Sequence, residues 1–257
     1  NLADFFGITK DPTSNYMFVM RYYENGDLHS YLDESHGILC WRDIVEMLRE
    51  ISVGIELIHK NELIHGNLHG GNILVENDLD TIDTRIADVG LHGPVNKINS
   101  NEIYGVLPYV APEILKGNPP TKASDIYSFG IIMWTLSAGI RPWCNKPHDL
   151  KLAKEICSGL RPEIIDGTPN VYIQLMTQCL HSDSSKRPTA SQLYESIEGW
   201  IDFICNNPNP SEISNQFDMA EEKKFLDLGK NEFHQQEIHS QSFYTSKYLC
   251  FPELHNY

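Results

Sequence analysis

Eight consecutive residues, His65-Gly66-Asn67-Leu68-His69-Gly70-Gly71-Asn72, bring two imidazoles and two carboxamides into one short loop. An imidazole can act as a base near neutral pH. A carboxamide such as Asn67 orients a hydroxyl by hydrogen bonding but offers no site that takes its proton. Sixteen residues after Asn72, Asp88-Val89-Gly90 sets a carboxylate directly behind a short apolar strand candidate. A carboxylate there is either an oxygen donor to a divalent cation or the cap of its own turn.

The run Leu63 to Leu74 resembles a protein-kinase catalytic loop, H-R-D-L-x-x-x-N, written here as H-G-N-L-H-G-G-N. The landmarks that follow keep the family's order and spacing. Asp88-Val89-Gly90 resembles D-F-G, and Ala111-Pro112-Glu113 matches A-P-E. Ser124 to Gly130 is similar to the start of the central helix of a kinase C-lobe, and Lys186-Arg187-Pro188-Thr189 to the segment whose Arg pairs with the A-P-E glutamate. Tyr16 to Leu28 resembles the last N-lobe strand, the interlobe hinge and the helix after it. The resemblance covers roughly residues 5 to 203 and is closest to the tyrosine-kinase-like Ser/Thr group.

That resemblance implies an α+β, protein-kinase-like fold: mainly the helical C-lobe, with a hinge and a remnant of the N-lobe sheet. It implies ATP and Mg as cofactors. Met20 would be the gatekeeper, the Arg21 carbonyl and Tyr23 amide would face the adenine edge, and Leu74 would lie beneath it. Asn72 and Asp88 would hold the metal, and His69 stands where many Ser/Thr kinases carry a Lys that contacts the transferred phosphate. His65 would brace the loop from the core. Glu113 and Arg187 would form a buried ion pair, and Asp125 would hold the loop backbone from the central helix.

Several departures bear on activity. Asn67 occupies the catalytic Asp position, and Gly66 replaces the Arg that clamps a phosphorylated activation segment. Val106 replaces the Thr whose hydroxyl bonds that Asp, so donor and acceptor are lost together and neither is orphaned. Val89 is a smaller plug than the D-F-G Phe. No Gly-rich phosphate loop and no V-A-I-K strand precede the hinge. Loss of the base alone removes about 10² to 10⁴ in rate, and loss of the phosphate roof removes more. The sequence therefore reads as an N-terminally truncated, pseudokinase-like chain that acts in signalling by binding nucleotide or protein. An active Ser/Thr kinase with its N-lobe encoded upstream and a nonfunctional fragment are the alternatives. Ser100 and Tyr104 are candidate phosphosites.

The elements that must position these groups follow from pattern. Phe5 to Thr9 and Met17 to Tyr22 form a hairpin around Asp11-Pro12-Thr13-Ser14-Asn15. Asp27 caps a short helix through Leu32, and Ile44, Met47, Leu48, Ile51, Ile55 and Ile58 stripe a helix over Trp41 to Lys60. Ile73 to Val75 and Thr84 to Ala87 are strands separated by Glu76 to Asp83. Helices follow over Ile126 to Ala138, Leu150 to Ser158, Val171 to Leu180 and Ala190 to Ile204. The domain reading is residues 1–22, partial N-lobe strands and hinge entry; 23–205, C-lobe; and 206–257, a linker and extension. In that extension Phe217, Ala220, Phe225 and Leu228 could make an apolar stripe, and the extension as a whole reads as a solvated, loosely ordered segment or as one that docks back or recruits a partner.

A net charge of −15 over 257 residues argues against nucleic acid and against an anionic membrane as partners, leaving proteins and Mg-bound nucleotide. The six scattered cysteines suggest neither a zinc site nor a disulfide framework, and point to a reducing, cytoplasmic setting.

Overall fold

The computed structural model describes residues 1–78, 81–89, 103–206, 209–229 and 238–254. Strands β1 (Phe5–Lys10) and β2 (Tyr16–Met20) form an antiparallel hairpin. Its turn is built by Asp11, whose carboxylate accepts from the backbone N–H of Thr13 and of Asn15, each at 2.8 Å. The two strands carry Phe5, Phe6, Ile8, Tyr16 and Phe18, all exposed.

Helix α1 (Leu28–Glu34) starts where the Asp27 side chain accepts from Ser30 N at 3.0 Å. The expected apolar stripe of α2 (Trp41–Lys60) is buried from Ile44 to Ile58, packed against β4 (Thr81–Ile86) and α7 (Ala190–Ile201). Strand β3 (Ile73–Asp78) pairs antiparallel with β4 in a register running from Ile73↔Ile86 to Asp78↔Thr81. Glu76 and Asp83 are therefore paired partners within the ladder, not the ends of a loop as the sequence suggested. Backbone hydrogen bonding carries the pairing past the apolar residues that marked each strand.

Helix α3 (Pro112–Leu115) follows the short strand β5 (Ile103–Gly105) and leads into α4 (Lys122–Ala138), the central helix. Its start lies four residues before the expected Ile126, because Thr121 and Ser124 form a capping box. Helix α4 is buried from Ser124 to Ser137 and ends at Gly139 in the left-handed region. A Cβ at Gly139 would lie 2.3 Å from the Gly37 carbonyl oxygen, so two backbones cross here at a distance no other residue permits.

Helices α5 (Leu150–Cys157), α6 (Asn170–Cys179) and α7 complete the lobe. Helix α7 gives way to a π-helical turn over Asp202–Asn206, so the α-helix ends short of the expected Ile204. Residues 207–208 of the linker lie outside the described residues.

The chain then forms α8 (Glu212–Gly229), whose Phe217 closes an aromatic cluster with Trp41, Tyr172 and Trp200 at centroid separations of 5.2 to 6.0 Å. Phe217 and Ala220 belong to the main core, but Phe225 is 62% exposed, so the expected stripe is shorter; the Leu228 side chain lies outside the described residues. A final strand, β6 (Lys247–Leu249), pairs antiparallel with β5. The solvated extension suggested by the sequence is thus corrected for α8 and for residues 238–254: both are held against the lobe by apolar and hydrogen-bonded contacts. Among the described residues no helix is long and apolar enough to cross a membrane.

Candidate active site

The loop between α2 and β3 is held from below by Asp125 near the start of α4. Its buried carboxylate accepts from His65 N at 2.8 Å, Gly66 N at 2.9 Å and the His59 ring at 2.9 Å. His65 has both ring nitrogens committed. Nδ1 accepts from Asn67 N at 3.2 Å, which puts the proton on Nε2, and Nε2 donates to the Ala87 carbonyl at 2.9 Å. That ring ties the loop to the strand leading into Asp88 and has no lone pair left for proton transfer.

Asn72 is similarly anchored. Its Nδ2 donates to the Asn67 carbonyl at 3.0 Å, and its carbonyl accepts from Ala87 N at 2.9 Å, one residue before Asp88. The side-chain Oδ1 is the remaining hard donor. Asp88 is exposed and sits at φ 60°, a left-handed backbone that a non-glycine residue adopts only under constraint. Val89 packs half-buried against the core; Gly90 and Ser100 lie outside the described residues.

Gly70 meets a steric limit, since a Cβ there would lie 2.3 Å from His29 Nε2. The His29 ring fills that space and bonds the Tyr109 hydroxyl at 2.9 Å, so the loop packs directly on a buried polar pair. Burial, and then the nearby Arg141 charge, pulls the His29 pKa down to about 3, so the ring is neutral.

At the far end of the lobe Arg187 grips Glu113 through two parallel bonds of 2.6 and 2.7 Å, and also donates to the carbonyls of His181 and Ala123. Both faces of the expected pair are present, with the Arg187 side chain wholly buried. The Tyr127 ring lies 5.2 Å from the guanidinium, and burial pushes its hydroxyl pKa up to about 12.

The hinge residues lie beside this lobe. Arg21 donates from its backbone to Asp4 O at 3.1 Å and from its side chain to Glu76 at 2.7 Å. Tyr23 is buried, and its hydroxyl accepts from Asp4 N at 3.1 Å. Val75 N donates to Gly26 O at 2.9 Å, and Leu74 forms a bridge with Asp27, so β3 runs alongside the segment that follows the hinge. Met20 and Leu74 are both half-buried.

A family model described as protein tyrosine and serine/threonine kinase matches residues 1–197. The chain belongs to this kinase family. It is 29% identical over 196 residues to a probable serine/threonine-protein kinase of Dictyostelium discoideum, covering 76% of this chain and 11% of that protein. It is 32% identical over 206 residues to ephrin type-B receptor 2 of Gallus gallus, covering 77% and 20%. It is 28% identical over 224 residues to an L-type lectin-domain containing receptor kinase of Arabidopsis thaliana, covering 77% and 32%. The chain thus spans a third or less of the length of these curated relatives.

In this kinase domain two polar side chains of the loop, Asn67 and His69, meet the chain's own C-terminal segment. Asn67 Nδ2 donates to Ser246 Oγ at 2.8 Å. His69 Nδ1 accepts from Gly71 N at 3.1 Å, so its Nε2 carries the proton and donates to the same Ser246 oxygen at 2.8 Å. Nothing in the sequence marked Ser246, nor the Tyr244 that packs on His29 and His148. The only signal was the density of aromatics from Phe243 to Phe251 in an otherwise aperiodic tail.

A nucleotide's metal would meet suitable chemistry. The Asp88 carboxylate and Asn72 Oδ1 are hard oxygen donors, and Mg²⁺ takes one or two such protein ligands with phosphate and water completing its shell. Among the described residues no cluster of three or more His, Cys, Asp or Glu forms a separate metal cage.

Proposed function

We propose that this kinase-family chain works as a binding protein in cytoplasmic signalling, with little or no phosphotransfer of its own. Asn67 carries the reading. At the position of the family's base stands a buried asparagine whose backbone carbonyl accepts from Asn72 Nδ2 and whose side-chain Nδ2 donates to a serine hydroxyl. A group that donates to the acceptor hydroxyl holds it in place but cannot remove its proton. The histidines offer no replacement in this arrangement: His65 is fully committed, and His69 presents a proton where a base needs a lone pair.

His69 nevertheless presents an N–H where a transferred phosphoryl oxygen would lie. With Asn72 and Asp88 it forms an oxygen-and-donor set suited to Mg-ATP, and Met20, Arg21, Tyr23 and Leu74 line the adenine end. When bound, the metal would neutralise phosphate charge; the chain's own contribution is to orient it.

The exposed apolar strands of the β1–β2 hairpin favour a second reading, in which further sheet covers them and completes an active Ser/Thr kinase. Thermal-shift titration with Mg-ATP separates the outcomes. A Mg-dependent rise in melting temperature that Asp88→Ala abolishes is expected if the nucleotide site is intact. A cooperative melt without any shift would remove nucleotide from the proposal. Phosphotransfer by the parent chain at rates ordinary for a kinase would overturn it; activity that appears only in Asn67→Asp would support it.

A further inference from the structure

The C-terminal segment packs against the loop that carries Asn67 and His69: it turns at His239–Ser242, where Ser242 N donates to His239 O at 2.9 Å, and becomes a strand over Lys247–Leu249. His239 N donates to Cys144 O at 2.8 Å, and His148 N donates to Gln241 O at 2.9 Å. Phe243 N donates to His148 Nδ1 at 3.1 Å. Tyr244 enters a polar-aromatic slot, with its ring 5.5 Å from His29 and 5.0 Å from His148 in edge-on geometry, Arg141 over its face at 5.3 Å, and its hydroxyl donating to Pro142 O at 2.8 Å. Two residues later Ser246 meets Asn67 and His69. Then Lys247, Tyr248 and Leu249 add a strand to β5, opposite Gly105, Tyr104 and Ile103, and Leu249 is buried.

Main-chain pairing supplies sequence-independent affinity, and side-chain pockets at fixed offsets supply selectivity, the pattern of strand-addition peptide recognition. Here the offsets are an aromatic two residues before the hydroxyl and a buried aliphatic three after it.

We infer that this groove is a recognition site for extended peptides of the form aromatic-x-Ser-x-x-aliphatic, and that residues 243–249 of the chain occupy it in cis as a tethered competitor. The inference rests on reading the Asn67–His69 loop as the working face of the kinase fold, and it names the class of protein partner that face takes. A tether makes the tail's effective concentration high, so a free peptide binds weakly until the tail leaves. Ser246 is held by two donors, and its removal from a peptide takes the acceptor from the buried Asn67 Nδ2, so the hydroxyl is a selective feature and not a filler.

The test uses the full-length chain, wild type and carrying Tyr244→Ala with Ser246→Val, changes confined to the tail. Fluorescein-labelled peptide of residues 241–249 is titrated into each and followed by anisotropy. The inference expects binding at least tenfold tighter to the variant than to wild type, and about tenfold weaker binding of a peptide carrying Ser246→Val. Equal affinity for both chains, or no binding to a variant that melts cooperatively, overturns it. Hydrogen exchange on the wild-type chain gives a second measurement if the variant does not fold: protected amides at 247–249 support the docked tail, and free exchange there overturns it. Mg-ATP thermal shifts run on both chains keep the two conclusions apart. Peptide binding without a nucleotide shift retains the groove and removes nucleotide from the proposed function, and the reverse result removes the groove alone.

Discussion

Asn67 and His69 both point a proton at one oxygen, and that shared direction governs what the loop can do. A base and an acceptor hydroxyl need a lone pair facing a proton; here two donors converge on Ser246 Oγ, a geometry that positions and does not deprotonate. The neighbouring His29 adds a pH response with a definite sign. Its pKa falls from 6.5 in the unfolded chain to about 3 in the fold, owing first to burial and then to Arg141. Between those values the unfolded state binds more protons, so stability rises with pH across that window and is lost as pH falls below 6.5. The burial-driven depression of His148 acts in the same direction. From pH 7.5 to 5.5 His29 should cost about 1.4 kcal/mol by linkage. Urea midpoints of wild type and His29→Gln at the two pH values check this: the wild type should lose that much more than the variant, and parallel losses would refute the assignment.

At the level of elements, Glu113 is pinned by Arg187, a pair that joins α3 to the segment entering α7, and Arg187 also holds the Ala123 carbonyl in the first turn of α4. A buried pair of this kind adds little net stability when whole, because desolvation offsets the attraction, but removing one partner strands the other. Glu113→Gln should therefore lower unfolding free energy by about 3 kcal/mol, toward the lower end of that class because Glu113 retains 17% exposure. Denaturant titration measures it; a loss under 1 kcal/mol would mean the pair is not the anchor. Most elements were legible from periodicity alone: α2 was bounded to the residue by its stripe from Ile44 to Ile58. Helix α4 was cut short because attention to its apolar run passed over the Thr121–Ser124 capping box, and β3–β4 because polar Glu76 and Asp83 hid a ladder held by backbone bonds.

Across the whole molecule, α8 and the C-terminal segment both pack on the lobe. Phe217 joins the cluster of Trp41, Tyr172 and Trp200, and Lys224, whose ammonium pKa burial lowers, donates to Leu39 O at 2.5 Å. Helix α8 should then unfold with the core and not before it. Phe217→Ala, which deletes a side chain with 3% exposure, is expected to cost about 3 to 5 kcal/mol in a single cooperative transition. A separate, earlier transition by far-UV circular dichroism, with the main midpoint unmoved, would place α8 outside the cooperative unit.

The kinase fold and the order of its landmarks are properties of local sequence, because each depends on residue type at short spacing. The Asp125 anchor, the Glu113–Arg187 pair and the bracing role of His65 were legible from the same motifs. The contact between this loop and the C-terminal segment was not. Ser246 and Asn67 are separated by 179 residues, and no periodicity or motif links them. Their meeting depends on β5 offering an edge to β6 and on a slot among His29, Arg141 and His148 that exists only once two distant segments have packed. Contacts of that kind are set by the closing of the tertiary structure, where an aperiodic tail finds an edge and a pocket that satisfy its backbone and its aromatic side chains.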